Sequence, residues 1–265
     1  MERLEALFRE AGIPLWGVCD YRQTLPLLPC RKAKLIPPGA SRVVMAAFPY
    51  YAGEAQHSNL ARYAWGEDYH GVCLGLLEQV CKGMRLSHPD CFFLPFADDS
   101  PIREVRCAVA AGLGLLGDHG MVITPAYGAY VFLGAIVTDC PLPLSIPGGE
   151  CPHCGRCRRA CPGGALAEEG LRRECCLSFL TQKKRLTPEE EARVAAGGMA
   201  WGCDRCLEAC PLNPKRLTPL APFRASLHPL LTEEDLAAGL ESRAYAYKGT
   251  ALLARNLKIL KEMPQ

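Results

Sequence analysis

Residues 151–162 read CPHCGRCRRACP, in which four cysteines follow the spacing C-x2-C-x2-C-x3-C and a proline comes directly after the last. The short intervals let the first three thiolates reach three irons of one cubane, a pattern typical of [4Fe–4S] ligation. Pro162 cannot extend a helix backwards, so the fourth cysteine turns away, toward a neighbouring cubane. Residues 201–211, WGCDRCLEACP, supply three further cysteines and also end in Cys-Pro. The chain is therefore predicted to bind two [4Fe–4S] clusters.

Two cubanes need eight thiolates, and the two cysteine runs provide seven of them. The eighth comes from the adjacent pair Cys175 and Cys176, which lies between the runs. We expect a crossed arrangement, in which the first three cysteines of the first run share a cluster with the last cysteine of the second. Zinc, which binds paired C-x2-C knuckles, is the alternative. The third cysteine at x2 spacing and the Cys-Pro endings favour cubanes. The ligands from the runs are Cys151, Cys154, Cys157, Cys161, Cys203, Cys206 and Cys210.

The bulk composition is that of a globular protein with a substantial core. The chain has 265 residues, 49% of them hydrophobic, and a formal net charge of +2. This charge gives no strong attraction to nucleic acid or membrane for the chain as a whole. No apolar run is long enough to span a bilayer, and the N-terminal MERLEALFREAGI has the pattern of an amphipathic helix rather than a signal peptide. We therefore expect a cytoplasmic protein without a membrane segment.

Seven of the sixteen cysteines lie outside the predicted cluster region. Reduced thiols persist in the cytosol, and a free cysteine behaves as a small, often buried hydrophobe. We expect that role for Cys19, Cys30, Cys73, Cys81, Cys91, Cys107 and Cys140.

The first 145 residues alternate between helix and strand patterns, which predicts an α/β or α+β domain. Asp98 follows one of the strands, at an end where ligands collect in open α/β sheets. The glycines of residues 112–117 form a G-x-G-x-x-G string after a helical run, so they indicate a tight loop beside a ligand rather than a dinucleotide site. The predicted helices are 2–12, a long helix ending at Met84, and 103–111; the predicted strands are 15–19, 42–48, 92–96 and 130–138.

Three domains follow from these patterns. Residues 1–147 form the α/β cofactor and substrate domain, residues 148–215 the double-cluster domain, and residues 216–265 a helical tail that packs back on the first domain. Single helical turns are expected over 155–160 and 204–209, and helix starts at Thr187 and Thr232. The tail helix, 251–261, is expected to bury its leucines and expose its basic side chains.

Five segments together resemble the epoxyqueuosine reductase family. Residues 62–70, RYAWGEDYH, are similar to its RYA-x-G-x-DYH segment, and residues 98–104, DDSPIRE, to its D-S/T-x-P-V-x-E segment. The glycine loop at 111–117, the strand FLGAI at 132–136 and the segment CLSFLT at 176–181 also match. The resemblance covers nearly the whole chain.

The resemblance implies an α+β fold, with a nitroreductase-like α/β domain followed by a bacterial ferredoxin-like double-cluster domain. It implies a base-off cobalamin between the first domain and the clusters, and it selects Cys176 as the eighth thiolate. The implied ligand sets are Cys151, Cys154, Cys157 and Cys210 for one cluster, and Cys161, Cys176, Cys203 and Cys206 for the other. The implied cofactor contacts are Tyr69, His70, Asp98, Ser100, Gly112, Gly114, Gly117 and His119.

Asp98 lies at the family position of the general acid. A partly desolvated carboxylic acid at a strand end can have a raised pKa and donate a proton. The alternative for Asp98 is a helix N-cap before Pro101, a role that Asp99 or Ser100 can fill instead. For Tyr69 and His70 the alternative is packing at a helix start.

Three functions remain open at this point. The first is a cobalamin-dependent reductase related to epoxyqueuosine reductase, acting on a nucleoside or another small molecule. The second is the reduction of epoxyqueuosine in tRNA by a compact family member, and the third is a non-enzymatic electron-transfer protein. For the enzymes we expect a monomer that receives electrons from an external donor such as flavodoxin or ferredoxin.

Overall fold

The computed structural model describes residues 2–240 and 242–262. It contains one mixed α+β body with a four-stranded sheet, followed by a region of loops and short helices that carries the cysteine runs. None of the described helices is long and apolar enough to cross a membrane. In the N-terminal part the elements are α1 (Glu2–Glu10), β1 (Leu15–Asp20), β2 (Arg42–Pro49), α2 (Tyr69–Ser87), β3 (Phe93–Phe96), α3 (Glu104–Ala110), β4 (Leu115–Leu116), β5 (Val122–Ile123) and β6 (Val131–Thr138).

The sheet has the strand order β1-β2-β6-β3, and every neighbouring pair in it is antiparallel. Its strand β2 is buried on both faces, because alternate residues enter two different cores. Val44, Ala46 and Phe48 pack with α1 and α2 on one face. Val43 and Met45 pack with α3 on the other. The α+β class is confirmed. Because the pairing is antiparallel, this is not the open parallel sheet whose strand ends collect ligands, and that argument for a site at Asp98 does not apply.

Helix α2 approaches strand β6 closely at one glycine. A Cβ on Gly134 would lie 2.8 Å from Cδ1 of Leu77 and 3.1 Å from Cε2 of Phe48. This glycine belongs to the FLGAI strand, so its absence of a side chain lets α2 lie flat on the sheet. The N-terminal end of α2 is thereby held beside β6, and Tyr69 stacks on Phe132 with ring centroids 4.1 Å apart.

The region after β6 is built from short elements. The helical turns predicted around the cysteine runs are confirmed as α4 and α7, and α6 begins at a capping box formed by Thr187 and Glu190. The elements are α4 (Arg156–Ala160), β7 (Leu166–Ala167), β8 (Gly170–Leu171), α5 (Leu177–Leu180), α6 (Pro188–Gly197), α7 (Arg205–Glu208), α8 (Glu233–Ala238) and α9 (Thr250–Lys261).

The tail helix α9 buries its leucines, as the sequence pattern predicts. Leu253 and Leu257 pack into a core that also contains Leu60 and Trp65 of the first part of the chain and Trp201 of the cysteine region. Asn256 is fully buried, and its Nδ2 donates to the carbonyl oxygens of Thr181 and Ala200, each at 2.8 Å. The tail therefore contacts both regions of the molecule.

Candidate functional site

The eight candidate thiolates lie around two cavities in the crossed arrangement. The first cavity is lined by Cys151, Cys154 and Cys157 of the first run together with Cys210 of the second. Helix α4 begins after Gly155, whose φ of 70° turns the chain between the second and third cysteines. Cys157 is buried, whereas Cys154 is exposed. This group of four is called the outer cysteine set below.

The second cavity is lined by Cys161, Cys176, Cys203 and Cys206, which are called the inner cysteine set below. Cys175 lines neither cavity. Burial raises the pKa of Cys203 to about 11 and that of Cys206 to about 12. A thiolate in this cavity therefore requires a cation such as iron to hold its negative charge.

The segment RYAWG joins the cysteine region to the sheet. The backbone N–H of Arg62 donates to the buried carboxylate of Asp204 at 2.5 Å, and the N–H of Ala61 donates to the carbonyl of Trp201 at 2.8 Å. The guanidinium of Arg62 is 8% exposed and pairs with Glu54. This family segment therefore holds the inner cysteine set against the first domain.

Asp98 lies at the wall of a separate cavity of about 680 Å³. Its Oδ2 accepts a hydrogen bond of 2.6 Å from the hydroxyl of Tyr69 and lies 3.0 Å from Nε2 of His70. The Nδ1 of His70 contacts the carboxylate of Asp68, which also accepts from the N–H of His70 as the N-cap of α2. Asp68, His70 and Asp98 form a carboxylate–imidazole–carboxylate chain. The cavity is lined by Asp68, His70, Asp98, Asp99, Arg243, Ala244, Ala246 and Tyr247.

The expectation of a raised pKa for Asp98 is wrong. Its hydrogen bond with His70 lowers the pKa of the carboxyl well below its usual range, and the bond from Tyr69 acts in the same direction, against the effect of burial. The bond to Asp98 in turn raises the pKa of His70, with Asp68 adding to the rise. The proton of this group therefore rests on His70, and Asp98 is a carboxylate.

The loop that carries Asp98 has an unusual backbone. Asp98 and Asp99 have φ values of 53° and 34°, in the left-handed region that L-residues rarely adopt. The N–H of Asp99 donates to Oδ1 of Asp98 at 2.7 Å, and the carboxylate of Asp99 pairs with Lys32 at 3.3 Å. Helix α3 has Arg103 at its N-cap position without a side-chain cap, so none of the predicted cap residues fills that role. Ser100 instead accepts from the N–H of Ile102 at 3.0 Å.

Glu104 is a second carboxyl beside this loop. Burial raises its pKa to about 8, and the charge of Asp98 adds to the rise. Its Oε1 is buried without a hydrogen-bond partner among the described residues. Glu104 is therefore protonated at neutral pH, next to the ionised Asp98.

Close packing within the protein explains the three glycines that were predicted to contact the cofactor. A Cβ on Gly112 would lie 2.3 Å from the carbonyl oxygen of Ile146, and one on Gly114 would lie 2.2 Å from that of Ile123. At Gly117 a Cβ would lie 2.5 Å from Cε1 of His119. The loop is thus packed against its own chain, and it positions His119 in the wall of both cysteine cavities, away from the Asp98 cavity.

Sequence reasoning missed several residues of the Asp98 site. Asp68 and Glu104 lie inside segments that resemble the family. The position of Asp68 before a helix and the place of Glu104 as the acidic residue of its motif were signals in the sequence. Arg243 and Tyr247 come from the tail, far along the chain, and no local pattern marked them. Tyr247 is 67% exposed at the cavity, with Nζ of Lys248 4.9 Å from its ring centroid.

Two family models match parts of the chain. The model described as epoxyqueuosine reductase QueG, DUF1730, matches residues 31–98, and the 4Fe-4S double cluster binding domain matches residues 150–213. The second match confirms the prediction that this region binds two [4Fe–4S] clusters.

Curated relatives carry the same family description. The epoxyqueuosine reductase of Synechococcus sp. (strain RCC307) is 33% identical over 215 residues, which cover 77% of this chain and 66% of that protein. That of Synechocystis sp. (strain PCC 6803) is 32% identical over 239 residues, covering 83% of this chain and 82% of the relative. The chain spans a smaller share of others, such as 58% of the Vibrio cholerae protein and 49% of the Bacillus subtilis protein.

Solved structures agree with this assignment. An epoxyqueuosine reductase crystallised with an epoxyqueuosine-modified tRNA stem loop superposes with a TM-score of 0.83 at 25% identity, covering 98% of this chain and 80% of that one. A catabolic reductive dehalogenase shares the fold, with a TM-score of 0.55 at 17% identity over 97% of this chain and 36% of its own. The segments that suggested the family, the sequence identity and the fold agree, and the chain belongs to the epoxyqueuosine reductase family.

Proposed function

We propose that this protein reduces epoxyqueuosine to queuosine, with electrons that pass through two [4Fe–4S] clusters to a base-off cobalamin. Removal of an epoxide oxygen as water consumes two electrons and two protons. The observation that carries the proposal is the Asp68–His70–Asp98 chain, which holds a proton at the wall of a substrate-sized cavity. The family membership of the chain supports the reaction, and the two cysteine sets support the source of electrons.

The outer cysteine set holds one cubane and the inner set the other. Each set brings four thiols to one cavity, which is the donor number and chemistry that a [4Fe–4S] cluster requires. Each cluster transfers one electron at a time, so the pair serves the two-electron reduction in successive steps.

The histidines of the site fit a cobalamin without a protein ligand to cobalt. Both ring nitrogens of His70 are engaged by carboxylates. The chain also lacks the D-x-H-x-x-G motif that supplies a lower histidine ligand. We place the corrin beside Asp98 and His70, which line the cavity, and Tyr69 holds Asp98 there through its hydrogen bond. When bound, cobalamin supplies the strongly reducing metal centre that the epoxide carbon requires.

The protein's own contribution is to hold and deliver a proton. His70 stores it between two carboxylates, and Asp98, which lines the cavity beside His70, passes it to the leaving oxygen. Tyr69 fixes Asp98 by its hydrogen bond at 2.6 Å. Asp98 thus keeps the predicted catalytic role, as a relay that draws on His70.

We propose that the substrate nucleoside is carried by tRNA. The exposed ring of Tyr247 at the cavity, with the ammonium group of Lys248 over it, suits stacking against a nucleobase and contact with phosphate. Arg243 donates to the carbonyl oxygens of Trp65, Gly66 and Ser226, which keeps this side of the cavity rigid. The related structure with a tRNA stem loop supports this substrate class.

We further propose that a flavodoxin or ferredoxin reduces the cluster of the outer cysteine set and that the protein acts as a monomer. Cys154 is exposed, so an electron carrier can approach this cluster closely. The exposed guanidinium of Arg159 bonds to the carbonyl of Cys154 at 3.3 Å and suits an acidic carrier.

Anaerobic reconstitution with iron, sulfide and cobalamin tests this function. We expect about eight irons and one corrin per chain, and conversion of an epoxyqueuosine-modified tRNA stem loop to its queuosine form, followed by mass spectrometry. Asp98→Asn is expected to keep the clusters and the corrin and to lose turnover. A protein with both clusters intact that binds no corrin would contradict the proposal.

A further inference from the structure

His119 has a buried imidazole between the two cysteine cavities. The residue is 6% exposed and lines the cavity of the outer cysteine set as well as that of the inner set. Its ring fills the space that a side chain at Gly117 would occupy, so the glycine of the family loop is what admits the ring here. The ring is therefore fixed at the boundary of the two proposed clusters.

The hydrogen bonds of the ring determine its tautomer. The backbone N–H of Met121 donates to Nδ1 of His119 at 3.2 Å. A nitrogen that accepts a hydrogen bond carries no proton, so in the neutral ring the proton lies on Nε2. Burial lowers the pKa of His119, although the nearby charge of Asp118 acts in the opposite direction. The lowered pKa keeps the ring neutral.

The resulting Nε2–H group has no acceptor among residues 2–240 and 242–262. A buried donor without an acceptor costs about 1–3 kcal/mol, so such groups face a ligand or a bound ion more often than empty space. On both sides of this ring the cavity walls are cysteines, and the ligand they imply is a cubane, whose sulfides and thiolates accept hydrogen bonds.

We propose that Nε2–H of His119 donates a hydrogen bond to a sulfur of one of the two [4Fe–4S] clusters and thereby sets the difference between their reduction potentials. The inference rests on the proposed clusters and moves His119 from the predicted cobalamin contacts to the electron path. A reduced cluster carries one more negative charge than an oxidised one, so a donated hydrogen bond favours the reduced form. His119 therefore makes one cluster the better electron acceptor and gives the transfer between them a direction.

A redox titration of the cluster-loaded, cobalamin-free protein tests this inference without any substrate. His119→Phe keeps an aromatic ring and removes the donor, and we expect the reduction equilibrium of one cluster to fall by about tenfold, which is about 59 mV for one electron. EPR separates the two clusters and identifies the acceptor. His88→Phe is the matched control, since His88 lines neither cavity, and it is expected to leave both potentials unchanged.

Two further measurements keep the inference testable if His119→Phe does not fold. They use the conservative variant His119→Gln and a wild-type protein with labelled histidines. His119→Gln retains an N–H donor and is expected to restore most of the potential. In wild-type protein labelled with ¹⁵N-histidine, a nitrogen coupling from His119 to a reduced cluster is expected to vanish in His119→Gln, whereas any coupling from His153, which lies beside Cys151, should persist. Unchanged potentials in both variants, or a shift that appears only with cobalamin bound, would overturn the inference, because the donor would then serve no cluster.

Discussion

At the residue scale, the charge of Asp98 depends on two donors that arrive from the same helix end. Tyr69 and His70 open α2 and reach Asp98 from 29 and 28 positions earlier in the chain. Each donor stabilises the carboxylate, so the group next to the cavity is the conjugate base and the acid is His70. The position of Asp98 was predictable from its segment, but its protonation was not, because that is set by tertiary neighbours.

The pH dependence of turnover tests this assignment. Because the pKa of His70 is raised, the imidazole stays protonated at pH values above the ordinary pKa of histidine. We therefore expect kcat to fall as pH rises through the raised pKa. Asp68→Asn retains an N-cap but removes one of the charges that hold the proton. The falling limb of kcat against pH should therefore move to lower pH. Asp90→Asn, at an exposed position, serves as control. If the falling limb of kcat against pH did not move in Asp68→Asn, the proton relay through His70 would be refuted.

Glu104 leads to a prediction about stability. Its pKa of about 8 in the folded state exceeds the ordinary value near 4.3. The folded protein thus holds a proton that the unfolded chain releases, so the free energy of unfolding falls as pH rises between about 4.5 and 8. Glu104→Gln should flatten this loss in thermal unfolding at pH 5, 7 and 9. Glu5→Gln on α1 should lose stability with pH as the wild type does. If the stability of Glu104→Gln fell in parallel with the wild type, the raised pKa of Glu104 would be disproved.

At the element scale, the segment of residues 59–65 works as a joint between the cysteine region and the first domain. It pairs with residues 200 and 201 through backbone hydrogen bonds, and Arg62 stacks on Tyr51 and Trp65 within about 5 Å. The sequence predicted the individual strands well, since β2 and β6 are continuous apolar runs. Their antiparallel order could not be read from it, because pairing depends on contacts between distant segments.

The joint predicts a measurable loss of stability. Arg62→Met keeps the apolar packing against the two rings but removes the buried cation, so that Glu54 keeps only its exposed ion pair with Lys215. We expect a cost of about 2 kcal/mol, below that of a fully buried pair because Glu54 is half-exposed. Chemical denaturation of the cluster-loaded protein measures it. Arg205→Met removes an exposed pair with Glu208 and should cost less than 1 kcal/mol; equal losses would contradict the joint.

At the scale of the whole molecule, each cysteine set is supported by one asparagine amide, that of the half-buried Asn213 for the outer set and that of the buried Asn256 for the inner set. Asn213 donates to the carbonyl of Leu207 at 3.0 Å and accepts from the N–H of Ala129 at 2.9 Å, which ties the outer set to the first domain. Asn256 of the tail ties down Thr181, whose hydroxyl accepts from the N–H of Gly202 beside Cys203. The crossed pairing of cysteines was predictable from their spacing, whereas these supports from distant segments were not.

The two asparagines predict opposite orders of cluster loss. Asn256→Leu leaves two buried carbonyl groups without a donor, at a cost of about 2 kcal/mol, and loosens the loops that carry Cys176 and Cys203. The cluster of the inner cysteine set should then lose iron first. Asn213→Leu loosens the segment around Cys210, which follows α7, and should release the outer cluster first. EPR during exposure to a chelator distinguishes the clusters. Loss of the same cluster first in both variants would show that the amides support the fold generally, because a local support must follow the cluster that it touches.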